Sequence, residues 1–483
     1  MTTIAVIIAL VALLVLLAIK TPVAIALGVS GALGLVLLQG FGFAGNVLGS
    51  TPFSDTANYS LTIVPMFILM GMFAVRANLA EQVFAIASRV ARRAPGGLGV
   101  ATVMACAGFS AVSGSSIGTA ATMSKLAVGE MRRHGYPAHF AAALVAVAGT
   151  LGVMIPPSTF LVLYAILTQQ SVGQMLAAGI IPGLLSALAY TIYIMARGRK
   201  LTTSADASLA SVSEKAHTDA AQLRGLRSKS SVASGTTATA TATVDAPAQQ
   251  PAGDTTPWRE LPWRGAIRVV ILFAIVLGGM YSGFFTSTES AAIGAVAALV
   301  ILIIENRKKG FKAVLAAFRS ALQDTGSTTA MVFMIIVGSG ILSTFFIAAR
   351  VPDSITSAVA GMGLPPMLTM ALLLVCLIPL GMVLESLSIL VITVPILYPI
   401  AIELGFDGIW LGILIVKLIE IGMVTPPVGI NVFVVAGTSG VPSETVFRGV
   451  TPLYFVDLAV VTLLFLVPQI SLFLPGLVAS TAG

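Results

Sequence analysis

The sequence predicts an all-α polytopic membrane protein built from two inverted-topology repeats, each with a re-entrant helical hairpin and a broken transmembrane helix. Three observations carry this. Of 483 residues, 57% are hydrophobic and 9% charged, with a mean hydropathy of +1.01, whereas a soluble domain is about 25% charged. Outside one polar stretch, apolar segments follow one another with short polar breaks, at the length a helix needs to cross about 30 Å of hydrocarbon. The chain also resembles itself at an offset of 270 residues: Gly179 to Pro182 (GIIP) recurs as Gly449 to Pro452 (GVTP). In the same register Pro156-Pro157 recurs as Pro426-Pro427, Gly135-Tyr136 as Gly405-Phe406, and Ser116 as Ser386. Upstream the register slips by a few residues, MFILMG at Met66 to Gly71 matching FMIIVG at Phe333 to Gly338.

Taken in order, the first repeat, 1–201, is expected to hold helices near 3–19, 22–39, 59–75, 137–169 and 175–196, with two shorter apolar arms near 96–130. The opening stretch Ile4 to Ile19 lacks the basic region and A-x-A site of a signal peptide and reads as a retained first helix. The arms flank GFSAVSGSS at Gly108 to Ser116, with Arg92 and Arg93 before them and Arg132 and Arg133 after. A spanning pair would strand one basic cluster outside, whereas a re-entrant hairpin keeps Lys20, Arg76, Arg89 to Arg93, Arg132, Arg133 and Arg197 to Lys200 cytoplasmic. Five crossings then force the second repeat, 258–483, to run in the opposite sense. Its hairpin near 366–402 enters from outside, its broken helix lies near 408–438, and Arg307, Lys308, Lys309, Lys312 and Arg319 fall inside. Both termini come out periplasmic. Between the repeats, 202–257 is rich in Ala, Ser and Thr without an apolar period, which predicts a disordered cytoplasmic linker with a solvated His217.

Composition also excludes classes. The net charge of +7 gathers beside apolar segments, a topology signal and not a nucleic-acid surface. Cys106 and Cys376 lie in apolar runs and read as packing residues. The three histidines, His134, His139 and His217, sit in a loop, at a helix start and in the linker, so no nucleophile has a placed base and no H-E-x-x-H motif exists. The chain is expected not to be an enzyme, and no cofactor is implied.

Four polar, helix-breaking stretches interrupt the apolar background in two symmetric pairs: Gly108 to Thr122, Gly152 to Ser158, Gly381 to Ser388 and Gly422 to Asn431. A carbonyl freed by a proline cannot stay unpaired in hydrocarbon and must face protein, water or an ion. Hairpin-tip hydroxyls and carboxylate, Ser113, Ser115 and Ser116 in one repeat and Glu385, Ser386 and Ser388 in the other, would join those carbonyls in two oxygen cages suited to sodium. Helix N-termini after each break would favour an anion such as a carboxylate, with Thr119, Thr122, Ser158 and Asn431 as substrate hydrogen-bonding candidates. Ser113, Glu385 and Ser388 belong to both sets. Small residues also let helices pack closely, and Glu385 reads equally as an N-cap of the second arm. Lys417 and Glu420 are spaced to pair on one helix face, Glu289 suits a helix N-terminus, and Asp457 has no partner that spacing identifies. A passive channel is the alternative reading, but paired inverted hairpins favour alternating access.

Through MFILMG, GFSAVSGSSIGTAAT, Ile155 to Ser158 (IPPS) and VTPPVGINVFV, the chain resembles the large membrane subunit of tripartite ATP-independent periplasmic (TRAP) transporters. The resemblance covers both repeats and fades in the linker, which is longer than the family's usual connection. It implies an elevator-type ion-transporter architecture in the bacterial inner membrane and sodium-driven uptake of a small organic acid. A periplasmic substrate-binding protein would deliver the acid, with a small four-helix membrane subunit alongside. A self-sufficient symporter without a binding protein is the alternative. The family's sodium sites, carried over by motif, fall on Ser113 and Ser116 with carbonyls near Gly152, Ile155 and Pro157, and on the second hairpin, from Gly381 to Ser386, with Gly422, Thr425 and Pro427.

Overall fold

A computed structural model describes residues 2–19, 21–197, 262–354, 357 and 364–481. The predicted linker lies outside these residues, as do Lys20, Arg199 and Lys200. The described residues form helices and no strands. Among the described residues eight helices are long and apolar enough to cross a membrane, nine if the bent pair Ala138–Met154 and Thr159–Leu167 counts as one span.

Two long helices from opposite halves of the chain, Val23–Thr56 and Phe311–Ala348, pack along each other. Their approach depends on absent side chains: a Cβ at Gly31 would fall 2.7 Å from the Leu342 backbone. Ile63–Arg76 pairs in the same way with Ser287–Asn306, which opens on a capping box between Thr286 and Glu289. Thr286 N donates to Glu289 Oε2 at 2.8 Å and Glu289 N donates to Thr286 Oγ1 at 3.3 Å. These pairs form a frame.

Beside the frame lie the interrupted elements. The first hairpin has arms Gly97–Ser113 and Ser116–Met123, the latter continuing through a π-turn at Ser124–Val128 to Gly129–Arg133. The first broken helix, Ala138–Met154 and Thr159–Leu167, bends by 43°. In the second half the arms are Pro366–Met382 and Ser386–Glu403, and the broken helix is Gly408–Gly422 and Ile430–Ser439. Val172–Arg197 and Ser443–Leu466 follow the two broken helices. Every residue of Gly408–Gly422 is buried, as are Phe140 to Ala148, in keeping with helices that are apolar on all sides. Each broken helix reaches across: Thr159–Leu167 packs on Ser386–Glu403, and Ile430–Ser439 on Ser116–Met123. Tyr164 OH donates to Gly408 O at 2.6 Å, Gln170 Nε2 to Tyr398 OH at 2.7 Å, and Ser124 Oγ to Val435 O at 3.4 Å.

Three expectations need correcting. The helix expected near 22–39 does not stop there. It kinks at Gly40, whose φ of 83° and ψ of 174° only glycine adopts freely, and resumes to Thr56. No helix is expected between 75 and 96, yet Leu79–Ala91 is one, with Leu79, Phe84, Ile86 and Ala87 buried and Arg89 in its last turn. Cys106 is buried, but Cys376 is exposed and is not a packing residue; the first arm of the second hairpin turns its outer surface there.

Candidate functional site

The first hairpin turns because Gly114 closes the arm in the left-handed region, at φ 58°, and Ser115 caps the next, accepting from Gly118 N at 3.2 Å. Across the turn Ser113 Oγ and Thr119 Oγ1 are hydrogen-bonded at 2.7 Å. Thr122 lies three residues beyond Thr119 on the same helix and is half-buried.

Against this tip lies the first break. A Cβ on Gly152 would sit 2.9 Å from Ser115 O, and Thr159 Oγ1 donates to Gly114 O at 3.2 Å. The helix ends at Met154, Ile155 is extended, and the Pro156-Pro157 peptide is cis. Pro157 has no N–H for the Val153 carbonyl, so the Ser158 hydroxyl donates to Val153 O instead. Ser158 also caps the second half, accepting from Leu161 N at 3.3 Å. Its one proton is therefore committed within the fold.

The second hairpin repeats the plan with other side chains. Glu385 caps the second arm, accepting from Leu387 N at 3.1 Å, Ser388 N at 3.2 Å and Ser388 Oγ at 3.3 Å. Gly381 meets the second break: a Cβ on Gly422 would fall 2.5 Å from Gly381 Cα. Beyond Gly422 the Pro426-Pro427 peptide is also cis, Gly429 has a φ of 54°, and Thr425 Oγ1 donates to Ile421 O at 2.5 Å.

The two assemblies meet at one atom. Ser386 Oγ donates to Met423 Sδ at 2.8 Å, and Ser116 Oγ lies 3.9 Å from the same sulfur. Asn431 joins the broken helices, its N donating to Met423 O at 3.2 Å and its Nδ2 to Ala146 O at 3.4 Å. Its Oδ1 is fully buried with no hydrogen-bond partner, an acceptor that would normally be satisfied. Among the described residues no three His, Cys, Asp or Glu side chains converge as a metal centre. An ion here would be held by hydroxyl, amide and carbonyl oxygens. The breaks differ in access: Pro156 to Ser158 are buried, whereas Pro426 to Val428 are exposed.

Sequence reasoning missed Met423 and Thr159, which carry no obvious chemistry, and it left Asp457 alone. Lys417 does pair with Glu420, at 2.9 Å, but lies 2.7 Å from Asp457 as well, and Tyr190 OH donates to Asp457 Oδ1 at 2.5 Å. Lys417 and Glu420 are 0% exposed and Asp457 1%. A carboxylate in an apolar span requires a partner, and among the described residues Lys417 is the buried cation in reach.

Discontinuous helices whose polar breaks meet inside an apolar, many-spanned fold define a membrane transport protein. Residues 10–470 match the family described as the DctM component of tripartite ATP-independent periplasmic transporters, and the chain belongs to that family, as a large permease subunit and a multi-pass inner-membrane protein. It is 33% identical over 453 residues to the C4-dicarboxylate TRAP transporter large permease protein DctM of Pseudomonas aeruginosa, covering 93% of each chain. It is 28% identical to the sialic acid TRAP transporter large permease protein SiaM of Vibrio cholerae, covering 87% of each. Among solved structures, the fold matches the YdaH transporter of Alcanivorax borkumensis, described as having an unusual topology, with a TM-score of 0.60 at 15% identity over 97% of this chain and 98% of that one.

Proposed function

We propose that this permease imports a small organic acid by sodium-coupled symport, the acid being delivered by a periplasmic binding protein and a small four-helix membrane subunit working alongside. The observation that carries the reading is the meeting of Ser116 and Ser386, one from each hairpin tip, at Met423, between two proline-broken helices. Relatives are named for C4-dicarboxylates, sialic acid, 2,3-diketo-L-gulonate and isethionate, all organic anions.

In this reading one sodium cage comprises Ser113, Ser115, Ser116 and carbonyls of Gly152, Ile155 and Pro157. The other comprises Gly381, Ser386, Gly422, Thr425 and Pro427. The acid lies between them, within reach of Ser113, Thr119, Thr122 and Asn431, with Ser158, Glu385 and Ser388 shaping the site through the caps they form. Four helices begin here, at Ser116, Thr159, Ser386 and Ile430, and their positive ends favour an anion without a fixed basic side chain. Sodium offsets the charge of the acid and the acid that of sodium, so each raises the other's affinity, which is the coupling. The two repeats run in inverted sense, and the hairpins with their broken helices move as one body against the frame.

The test is uptake of labelled organic acids into proteoliposomes holding this chain and its small subunit, with and without an inward sodium gradient and with and without the binding protein. Uptake that needs both supports the reading. Sodium-driven uptake without the binding protein would identify a self-sufficient symporter, and downhill flux indifferent to sodium a passive channel.

A further inference from the structure

Away from the hairpin tips, a cavity of about 430 Å³ lies between the frame and the second hairpin. Its walls come from Phe311–Ala348, through Ser339, Gly340 and Ser343, and from Ser386–Glu403, through Val394 and Tyr398. Its floor is the end of Val23–Thr56, where Asp55 sits half-buried. The volume is that of a small-molecule site and far exceeds a metal ion.

Asp55 is electrostatically misplaced for a structural role. It lies in the last turn of its helix, where the backbone presents its negative end and a carboxylate is disfavoured. Among the described residues no Lys, Arg or His forms an ion pair with it. Its one hydrogen bond is from Ser54 Oγ, at 3.1 Å. It is nonetheless held against the opposite wall: a Cβ on Gly340 would fall 1.8 Å from Asp55 Oδ2. Carboxylate and helix end together make a negative pole in a cavity whose other walls are mostly apolar, with the hydroxyls of Ser343 and Tyr398 as further polar contacts.

We propose that this cavity binds an organic ammonium group carrying an apolar tail, its nitrogen held by Asp55 and the end of Val23–Thr56. Such a ligand has the opposite charge to the acid of the central site, and it comes either as a free amine or as the ethanolamine headgroup of a lipid. Lodged between Ser343 and Tyr398, it ties the second hairpin to the frame.

The test is thermal unfolding of the purified chain in nanodiscs of phosphatidylglycerol, titrated with n-butylammonium chloride against equal concentrations of sodium chloride and sodium butyrate. The expected result is a rise in unfolding temperature with n-butylammonium alone, absent in Asp55→Asn. Ser343→Phe, which fills the cavity and leaves Asp55 in place, should abolish the rise as well. An Asp55-dependent stabilisation from phosphatidylethanolamine in the disc would identify the lipid as the source, and a rise confined to the free amine a soluble ligand. No rise in the wild type, or an equal rise in Asp55→Asn or Ser343→Phe, overturns the proposal.

Discussion

Asn431 is a buried amide with one satisfied end and one orphaned end. An unsatisfied buried acceptor costs about 1–3 kcal/mol, so Asn431→Leu should stabilise the ligand-free protein while weakening acid uptake roughly tenfold or more; thermal unfolding and the KM for uptake would move in opposite senses. Loss of uptake with loss of stability would show a packing role alone. Ser113→Ala, Ser116→Ala and Thr425→Ala each delete one candidate cation ligand and should raise the sodium concentration for half-maximal uptake by roughly 10- to 100-fold, the value of a hydrogen-bond-like contact to a charge, with unfolding temperature little changed. Lys417→Met should do the reverse. It leaves Glu420 and Asp457 buried without a counter-charge, which costs about 3–5 kcal/mol, and protein yield and unfolding temperature should fall while any surviving protein keeps its sodium dependence. Equal effects from all four substitutions would sink the site assignment. At this scale the sequence displayed the chemistry but not its company. Serines beside glycines and a double proline announce where a helix must stop, because proline lacks the N–H and glycine tolerates the left-handed turn. That Ser116 and Ser386 share a methionine sulfur 307 and 37 residues away, or that Asp457 answers Lys417, is a product of packing between helices.

Between elements, the decisive contacts are backbone against backbone. Gly422 and Gly381 approach so closely that a methyl group on either would strike the other's main chain. Main chain cannot step aside as a side-chain tip does, so Gly422→Ala should part hairpin from break and cut uptake by about tenfold or more, the scale of overpacking at 1–3 kcal/mol. Gly437→Ala, in the other half of that broken helix and with open space at its Cβ, should leave uptake unchanged and serves as the control. The membrane-spanning helices were legible because hydrocarbon demands long apolar runs with every backbone group paired. Leu79–Ala91 and the stretch after Gly40 were not. The first is too short to span and carries two charges, Glu81 and Arg89, and the second is dense in Gly, Ser and Thr, ordered by its neighbours and not by its own propensity.

For the whole molecule, two long helices contributed by opposite halves of the chain form a frame, and the interrupted helices interlock across it. Ser339 Oγ on the frame donates to Val391 O of the second hairpin at 2.8 Å, a contact that must break if that body travels. With the exposed Cys376 replaced by Ser, a Ser339→Cys, Val391→Cys pair bridged by mercuric ion should stop uptake, and excess thiol should restore it. Uptake that survives bridging would show that the hairpin and frame do not separate. One asymmetry reaches further. Pro426 to Val428 are open to the surroundings while Pro156 to Ser158 are shut in, so two occupants of otherwise matching chambers would stand in a queue. The one behind Pro427 would exchange freely, and the one behind Pro157 would wait for the protein to rearrange. Washout of preloaded radiosodium should then run in two phases, the fast one lost in Thr425→Ala and the slow one in Ser116→Ala, and the order of departure would be written into which proline faces the door.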